Sequence, residues 1–303
     1  MCKGQCPRVQ PIRYFDRHAN TIKEEDVYGE KWLRLAYENP LGRLALHAFV
    51  KRPFFSRLYG RKMDAPESRE LIEPFIEKYQ LDFHELSSNP ASYANFNEFF
   101  SRTLKSGARP LDDSPVVFPC DGRHLGFQKA SEIENVFVKG QRFNLPALLG
   151  SKDLAEKYTE GTLVLSRLCP VDYHRFHFPT DCIPGEPQLI NGPLYSVSPI
   201  ALRKNLSYLW QNKRVLTKLE TKDFGTILFL EIGATNVGSI KQTFHPGSDV
   251  RKGDEKGYFS FGGSSTLMFF EPNKVQLAPD LLEHSSNQTE LYAKMGTVLA
   301  NPR

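Results

Sequence analysis

Three short segments of this chain carry side chains able to make or break a bond. The first runs from Gly257 to Phe270, GYFSFGGSSTLMFF, where a Gly-Gly-Ser-Ser-Thr stretch sits between two apolar strands. It reads as a hairpin turn, as a small anion nest of successive N–H groups, or as a strained turn that brings a serine hydroxyl onto the preceding carbonyl. Glycine ahead of serine opens backbone conformations closed to other residues, which the last reading needs. The second segment is Val171 to Pro179, VDYHRFHFP, in which His174 and His177 flank Arg175. Positions three apart face opposite sides of a strand but share a face on a helical turn. H-x-x-H with no third ligand is a poor zinc signature, so no metal is expected. Acid–base work suits imidazole, which titrates near neutrality without help; a hydrogen-bonded pair fixing a strand end is the other reading. The third segment is Phe118 to His124, FPCDGRH. Its Asp-Gly is a turn signal, yet Asp121 could equally orient a histidine in a nucleophile–base–carboxylate relay.

Rival chemistries have less support. The chain has no G-x-x-x-x-G-K-[ST], no H-E-x-x-H, no G-x-S-x-G and no strand-linked G-x-G-x-x-G. Gly233 to Ile240, GATNVGSI, lacks the dinucleotide pattern and reads as a close-packed strand pair near the site. Cys2, Cys6, Cys120, Cys169 and Cys182 form an odd set without a repeated short spacing, which argues against a disulfide framework or a structural zinc. No apolar run precedes Cys2 and Cys6, so no cleaved leader is expected. A formal net charge of +4 fits an anionic surface or substrate and does not by itself indicate nucleic acid.

The elements that must position these residues fall into two textures. Residues 1–25 are polar and read as an irregular lead-in. Over 29–62, Trp32, Leu33, Leu35 and Ala36, then Leu41, Leu44, Ala45, Ala48 and Phe49, then Phe54, Phe55, Leu58 and Tyr59 make apolar stripes broken at Pro40 and Pro53. Lys31, Arg34, Arg43, Lys51, Arg52, Arg57, Arg61 and Lys62 lie among them, against Glu30 and Glu38. Such helices suit the headgroup level of an anionic bilayer or the surface of a core. A helix is expected over 66–86 and a compact aromatic one over Asn95–Leu104. From about residue 115, short apolar runs at 116–118, 136–138, 163–165, 227–230 and 267–270 alternate with turn residues and predict strands. The fold class is therefore α+β: N-terminal amphipathic helices followed by a mostly antiparallel β core. No window holds the ~18 apolar residues that a spanning helix needs.

Taken in order, these segments resemble the phosphatidylserine decarboxylase family, in the subgroup with a Gly-Gly-Ser processing site. The likeness runs through Tyr28–Pro53, FNEFFSRTLKSGARP (96–110), the Asp121 turn, KGQRFNLPALL (139–149), the histidine segment, GPLYS (192–196), GATNVGSI and GGSS. It implies self-cleavage between Gly263 and Ser264, with Ser265 as a matching neighbour and not the nucleophile. His177, held by Asp121, is implied as the base that activates Ser264 Oγ. The product is a covalent pyruvoyl cofactor at Ser264, which forms a Schiff base with phosphatidylserine and yields phosphatidylethanolamine. His174 is implied in proton transfer after decarboxylation, and Ser166 and Tyr195 as lining residues.

The same resemblance implies a zymogen with a polar arm (1–28), a helical membrane-associating region (29–110) and a β-rich catalytic domain (111–303). It implies a homodimer acting on lipid of an anionic membrane, without nucleic acid, as a peripheral protein on the cytoplasmic face of the cell membrane. Two other readings remain open: a processing-dead relative that binds anionic lipid, and a pyruvoyl decarboxylase of a soluble amino-acid derivative.

Overall fold

The computed structural model describes residues 11–46, 53–135, 143–234, 240–262 and 264–303. Cys2, Cys6, the 136–138 run, most of GATNVGSI and Gly263 lie outside these residues, and with Gly263 one side of the expected cleavage bond. The chain opens with strands β1 (Arg13–Asp16) and β2 (Thr21–Glu24), then helices α1 (Glu30–Glu38), α2 (Pro40–Ala45), α3 (Pro53–Asp64), α4 (Ile72–Tyr79) and α5 (Phe96–Phe100). Strands β3 (Val116–Val117) and β4 (Gly122–Phe127) follow, then α6 (Leu145–Leu149) and α7 (Lys152–Tyr158). Next come β5 (Thr162–Leu168), β6 (Arg175–His177), β7 (Ile183–Pro184) and β8 (Gln188–Ile190). After α8 (Pro199–Leu202) and α9 (Tyr208–Gln211) come β9 (Arg214–Glu220), β10 (Thr226–Gly233), β11 (Ile240–Gln242), β12 (Glu255–Phe259) and β13 (Ser264–Phe270). The chain closes with β14 (Val275–Leu277), α10 (Pro279–Ser286), β15 (Glu290–Ala293) and β16 (Val298–Pro302). The α+β class holds.

A ten-stranded sheet runs β2-β1-β15-β4-β5-β13-β10-β9-β7, with β8 also on β9. Its pairs are antiparallel except β1 with β15. Two three-stranded sheets, β11-β12-β6 and β14-β16-β3, complete the β structure of the described residues. The central strands are buried on both faces, which explains why they read as continuous apolar runs instead of alternating ones. Along β13, Leu267 and Phe269 enter a core with Leu163, Leu165, Leu228 and Leu230. Met268 and Phe270 enter the opposite core with Val164, Phe229, Phe176 and Phe178. The first core also takes in residues of α6, α7, α8 and α9, and the second those of the small sheets and α10. A third cluster joins Phe75, Phe96, Phe99 and Phe100 of the helical region to Phe261, just ahead of β13.

Three expectations need correction. Residues 13–24 are not an irregular lead-in but a hairpin on the edge of the large sheet. Asp16 Oδ1 accepts from the N–H groups of His18 and Ala19 at 2.9 and 3.0 Å, closing the turn. Arg17 then grips both carboxylate oxygens of Asp280 at 2.6 Å. The helix expected over 66–86 is divided into a 3-10 turn (Pro66–Leu71), α4 and a second 3-10 turn (Phe83–Glu85). Pro74 has no N–H to give to an earlier turn, so the α-helix starts only at Ile72, and Gln80 ends it in a left-handed conformation with φ 50°. The aromatic helix expected over Asn95–Leu104 is also shorter. Asn95 Oδ1 caps the N–H of Glu98 at 2.9 Å, and Glu98 accepts from Ala94 N at 2.6 Å.

Phe269→Ala, in the middle of the doubly buried strand, is expected to lower stability by about 3–5 kcal/mol. Leu189→Ala on the exposed edge should stay within about 0.5 kcal/mol. Denaturant midpoints of the two variants check the contrast.

Candidate active site

Ser264 is the first residue of β13 and is fully buried, and its hydroxyl has no hydrogen-bond partner among the described residues. Ser265 shares both properties, so burial does not choose between them. Strand parity does. Ser264 lies on the face of Thr266, Met268 and Phe270, where Thr266 Oγ1 is 3.9 Å from Cys120 Sγ. Ser265 lies on the face of Leu267 and Phe269, toward the helices. Strand β6, which carries the histidine segment, packs on the Ser264 side through Phe176, against Phe229 and Phe259. Just before the turn, Gly262 has φ +141°, a conformation that favours glycine.

The two histidines occupy different environments. His174 is fully buried, with its ring centroid 3.9 Å from that of Phe100. Its Nδ1–H donates to the Asp172 carbonyl at 3.0 Å, and Nε2 has no partner among the described residues. Burial pushes its pKa down to about 3, so the ring is neutral at ordinary pH. His177 Nδ1–H donates to the Gly253 carbonyl at 2.9 Å, and Nε2 accepts from the Tyr173 hydroxyl at 3.2 Å. Burial lowers its pKa as well, while the Gly253 bond and the charges of Glu255 and Asp121 push it back up. With Phe176 facing the large sheet, His174 shares that side of the strand and His177 the other, so the pair does not converge as a chelate.

Asp121 is buried at the turn into β4, where Gly122 backs directly onto β5. A Cβ on Gly122 would sit 2.7 Å from the Arg167 carbonyl oxygen, so the turn admits no side chain. The Asp121 carboxylate is gripped by Arg109, Nε to Oδ1 at 2.9 Å and Nη2 to Oδ2 at 2.6 Å, and accepts from Met295 N at 2.8 Å. The expected Asp121–His177 contact is therefore not a hydrogen bond in this structure; the carboxylate acts on the imidazole through space. Arg109 reaches Glu85 at 2.8 Å, and Glu85 accepts from Lys294 at 3.0 Å.

Sequence reasoning missed Arg109, Tyr173 and Asp172. Asp172 pairs with Arg123 and accepts from Cys169 N at 2.6 Å, while Arg102 donates to the carbonyls of Val171 and Asp172 at 3.0 Å each. The one available signal was the place of Arg109 in the SGARP run. Ser166 lies opposite Thr266, on the Ser264 face, and its hydroxyl donates to His124 Nδ1 at 2.8 Å. His124 Nε2–H donates to the Ala293 carbonyl at 3.2 Å, and burial pushes this ring down to about 3 as well. Tyr195 stacks on Tyr208 at 4.1 Å in the first core, away from Ser264.

Two cavities meet at Val171. One, of about 630 Å³, is mainly apolar and runs from Gly262 and Phe261 past Tyr28 and Tyr59 to Trp32. The other, of about 210 Å³, is polar and holds Asp121, Arg109, Tyr173 and Lys294. Residues 96–300 match the family model described as phosphatidylserine decarboxylase, which is more than half of the chain. The chain belongs to the phosphatidylserine decarboxylase family. It is 46% identical to a phosphatidylserine decarboxylase proenzyme of Fusobacterium nucleatum, over 97% of this chain and 99% of the relative. Proenzymes of the same name from Chlamydia pneumoniae and Clostridium kluyveri are 42% and 40% identical, over 96% and 94% of this chain and 97% of each relative. The stretch matched by the phosphatidylserine decarboxylase model starts at α5 and takes in Asp121, both histidines and Ser264.

Because burial depresses the pKa of His124 and His174 below the value near 6.5 of an unfolded chain, the unfolded state binds the extra protons as pH falls. Stability is full above pH 6.5 and lost toward pH 3, by about 2 kcal/mol per histidine at pH 5. Unfolding midpoints at pH 7 and 5 should differ accordingly, and His124→Gln should shrink the difference.

Proposed function

We propose that this chain is a proenzyme that cuts itself between Gly263 and Ser264 and, once cut, decarboxylates phosphatidylserine to phosphatidylethanolamine at a bilayer surface. The observation that carries this reading is a buried, unpartnered Ser264 hydroxyl on the sheet face that meets the histidine strand, in a chain of this family. His177 is assigned on the family likeness as the base that takes the Ser264 Oγ proton. Its ring stands on the side of β6 opposite Phe176, so the transfer requires the ring to swing toward Ser264. The charge of Asp121, fixed by Arg109, raises its basicity without touching it. Oγ attacks the Gly263 carbonyl carbon and the C–N bond breaks, leaving an ester and a free amine. Loss of the Ser264 Cα proton and of the Gly263 carboxylate then gives dehydroalanine. Its tautomer adds water and releases ammonia, leaving a pyruvoyl carbonyl at position 264.

The residues fit such a group: its position is fully buried, beside Gly262 and the end of the larger cavity. When present, the pyruvoyl carbonyl supplies the electron sink as CO₂ leaves. His174 keeps its Nδ1 hydrogen on the Asp172 carbonyl, so a proton passes through Nε2.

The larger cavity is lined by Trp32, which is 76% exposed, and near it in sequence Leu41 and Phe54 are 78% and 68% exposed. An apolar cavity with an exposed tryptophan in its lining, on a segment that bears further exposed apolar side chains, suits a lipid entering from a bilayer. No helix among the described residues is long and apolar enough to cross a membrane. On this reading 29–110 is the membrane-associating region, 111–303 the catalytic domain, and the protein a peripheral homodimer on the cytoplasmic face. Arg34 adds little to the basic face, being held by Glu30 at 2.7 Å and Glu38 at 3.1 Å.

Denaturing electrophoresis and mass spectrometry test the cut: the wild type should give a fragment 264–303 with a blocked N-terminus. Ser264→Ala should stay at full length and release no CO₂ from phosphatidylserine vesicles, whereas Ser265→Ala should still be cut. A wild-type chain that stays whole while active would overturn the reading. Replacing Trp32, Leu41 and Phe54 together by serine should weaken binding to anionic vesicles by at least about tenfold and leave the cut unchanged.

A further inference from the structure

Glu231 and Lys256 are both fully buried, and their charged ends meet at 2.5 Å. Lys256 Nζ also donates to Thr217 Oγ1 at 3.0 Å and to Gln242 Oε1 at 2.9 Å, so all three ammonium hydrogens have an acceptor. Gln242 Nε2 in turn donates to Glu231 Oε2 at 3.1 Å. The rings of Phe176, Phe229 and Phe244 surround the ammonium, with centroids at 5.6, 5.1 and 4.9 Å. Thr217 and Glu231 stand on β9 and β10 of the large sheet, Gln242 and Lys256 on β11 and β12 of the small one. Four side chains thus pin one sheet to the other.

Stability gives no reason for this arrangement. Taking two ions out of water costs several kcal/mol each, and well-packed apolar side chains in their place are often as stable or more so. What directed hydrogen bonds add is register. Charge-assisted bonds carry directional geometry, and a fully satisfied buried network rigidifies its partners in one arrangement.

The register that this cluster fixes is that of the candidate site. Glu231 pairs with Thr266 across β10 and β13, and two residues on, Gly233 pairs with Ser264. Lys256 occupies the bulge in β12 between Glu255, paired with His177, and Gly257, paired with Phe176. At Gly257 a Cβ would lie 2.1 Å from the Lys241 carbonyl oxygen and 2.8 Å from the Phe176 ring, so β12 has no slack to make up an error. We infer that the Glu231–Lys256 pair is a positioning device for self-cleavage, which sets the strand of His174 and His177 relative to Ser264. The inference rests on the reading of Ser264 as the cleavage residue.

The test is the cleavage time course of newly synthesised full-length chain, followed by gel beside the melting temperature. Glu231→Met combined with Lys256→Met should melt at or above the wild-type temperature yet cut at least about tenfold more slowly. Thr217→Val keeps the pair and changes almost no volume but leaves one ammonium hydrogen without its acceptor; it should slow the cut of the folded chain about threefold while lowering the melting temperature by only a few degrees. A merely structural role would move the melting temperature and leave the rate of the folded chain alone. Wild-type rates in both variants would overturn the inference, and Thr217→Val decides alone if the double variant fails to fold. A wild-type chain that never cuts would instead sink the self-cleavage reading itself.

Discussion

Strand β13 lies between β5 and β10 with every side chain buried, so alternate residues are committed to opposite cores. A slip of one residue would exchange Leu267 and Phe269 for Met268 and Phe270 across the sheet and misplace all four. The same rigidity reaches the first residue of the strand. Ser264 cannot turn toward the helices without its neighbours changing cores, and it therefore faces the small sheet that carries the histidines. Packing deep in the sheet thus orients a hydroxyl at its end.

The strands beside β13 and the turn from Cys169 to His174 hold much buried charge. Arg123 meets Asp172, Arg167 meets Glu25 and Glu290, and Arg109 meets Asp121 and Glu85. Arg102 has no carboxylate at hydrogen-bond distance among the described residues and is held by the carbonyls of Phe100, Val171 and Asp172. Such contacts add little net stability. What they do is fix the backbone from Cys169 to His174, a turn with few apolar residues of its own to anchor it. The site is precise because its loop is tied at many polar points.

The sequence made legible what depends on local pattern. The runs at 163–165, 227–230 and 267–270 are strands because their apolar β-formers lie between turn residues, and Asn95 caps a helix as its side chain allows. The bends at Asp121 and ahead of β13 were also readable, since glycine and aspartate announce turns. The N-terminal hairpin was not, because its strands are polar and its anchor, Asp280, lies at the far end of the chain. Arg109 and Tyr173 escaped for the same reason: an arginine in a loop gives no sign of the carboxylate it will meet. Which side of the sheet Ser264 faces depends on the register with β5 and β10, a long-range quantity that no local pattern holds.

The chain after Ser264 is threaded through the whole molecule. It supplies β13 between β5 and β10, β15 between β1 and β4, and β16 between β14 and β3. A cut ahead of Ser264 would therefore release nothing, since both pieces stay interleaved by backbone ladders and shared cores. Unfolding would be another matter. Two separate polymers would then have to find each other at dilute concentration, one of them bearing a terminus that the newly made chain does not have. Such a protein has one opportunity to fold, before it is cut, and its lifetime afterwards is set by the height of the unfolding barrier and not by an equilibrium.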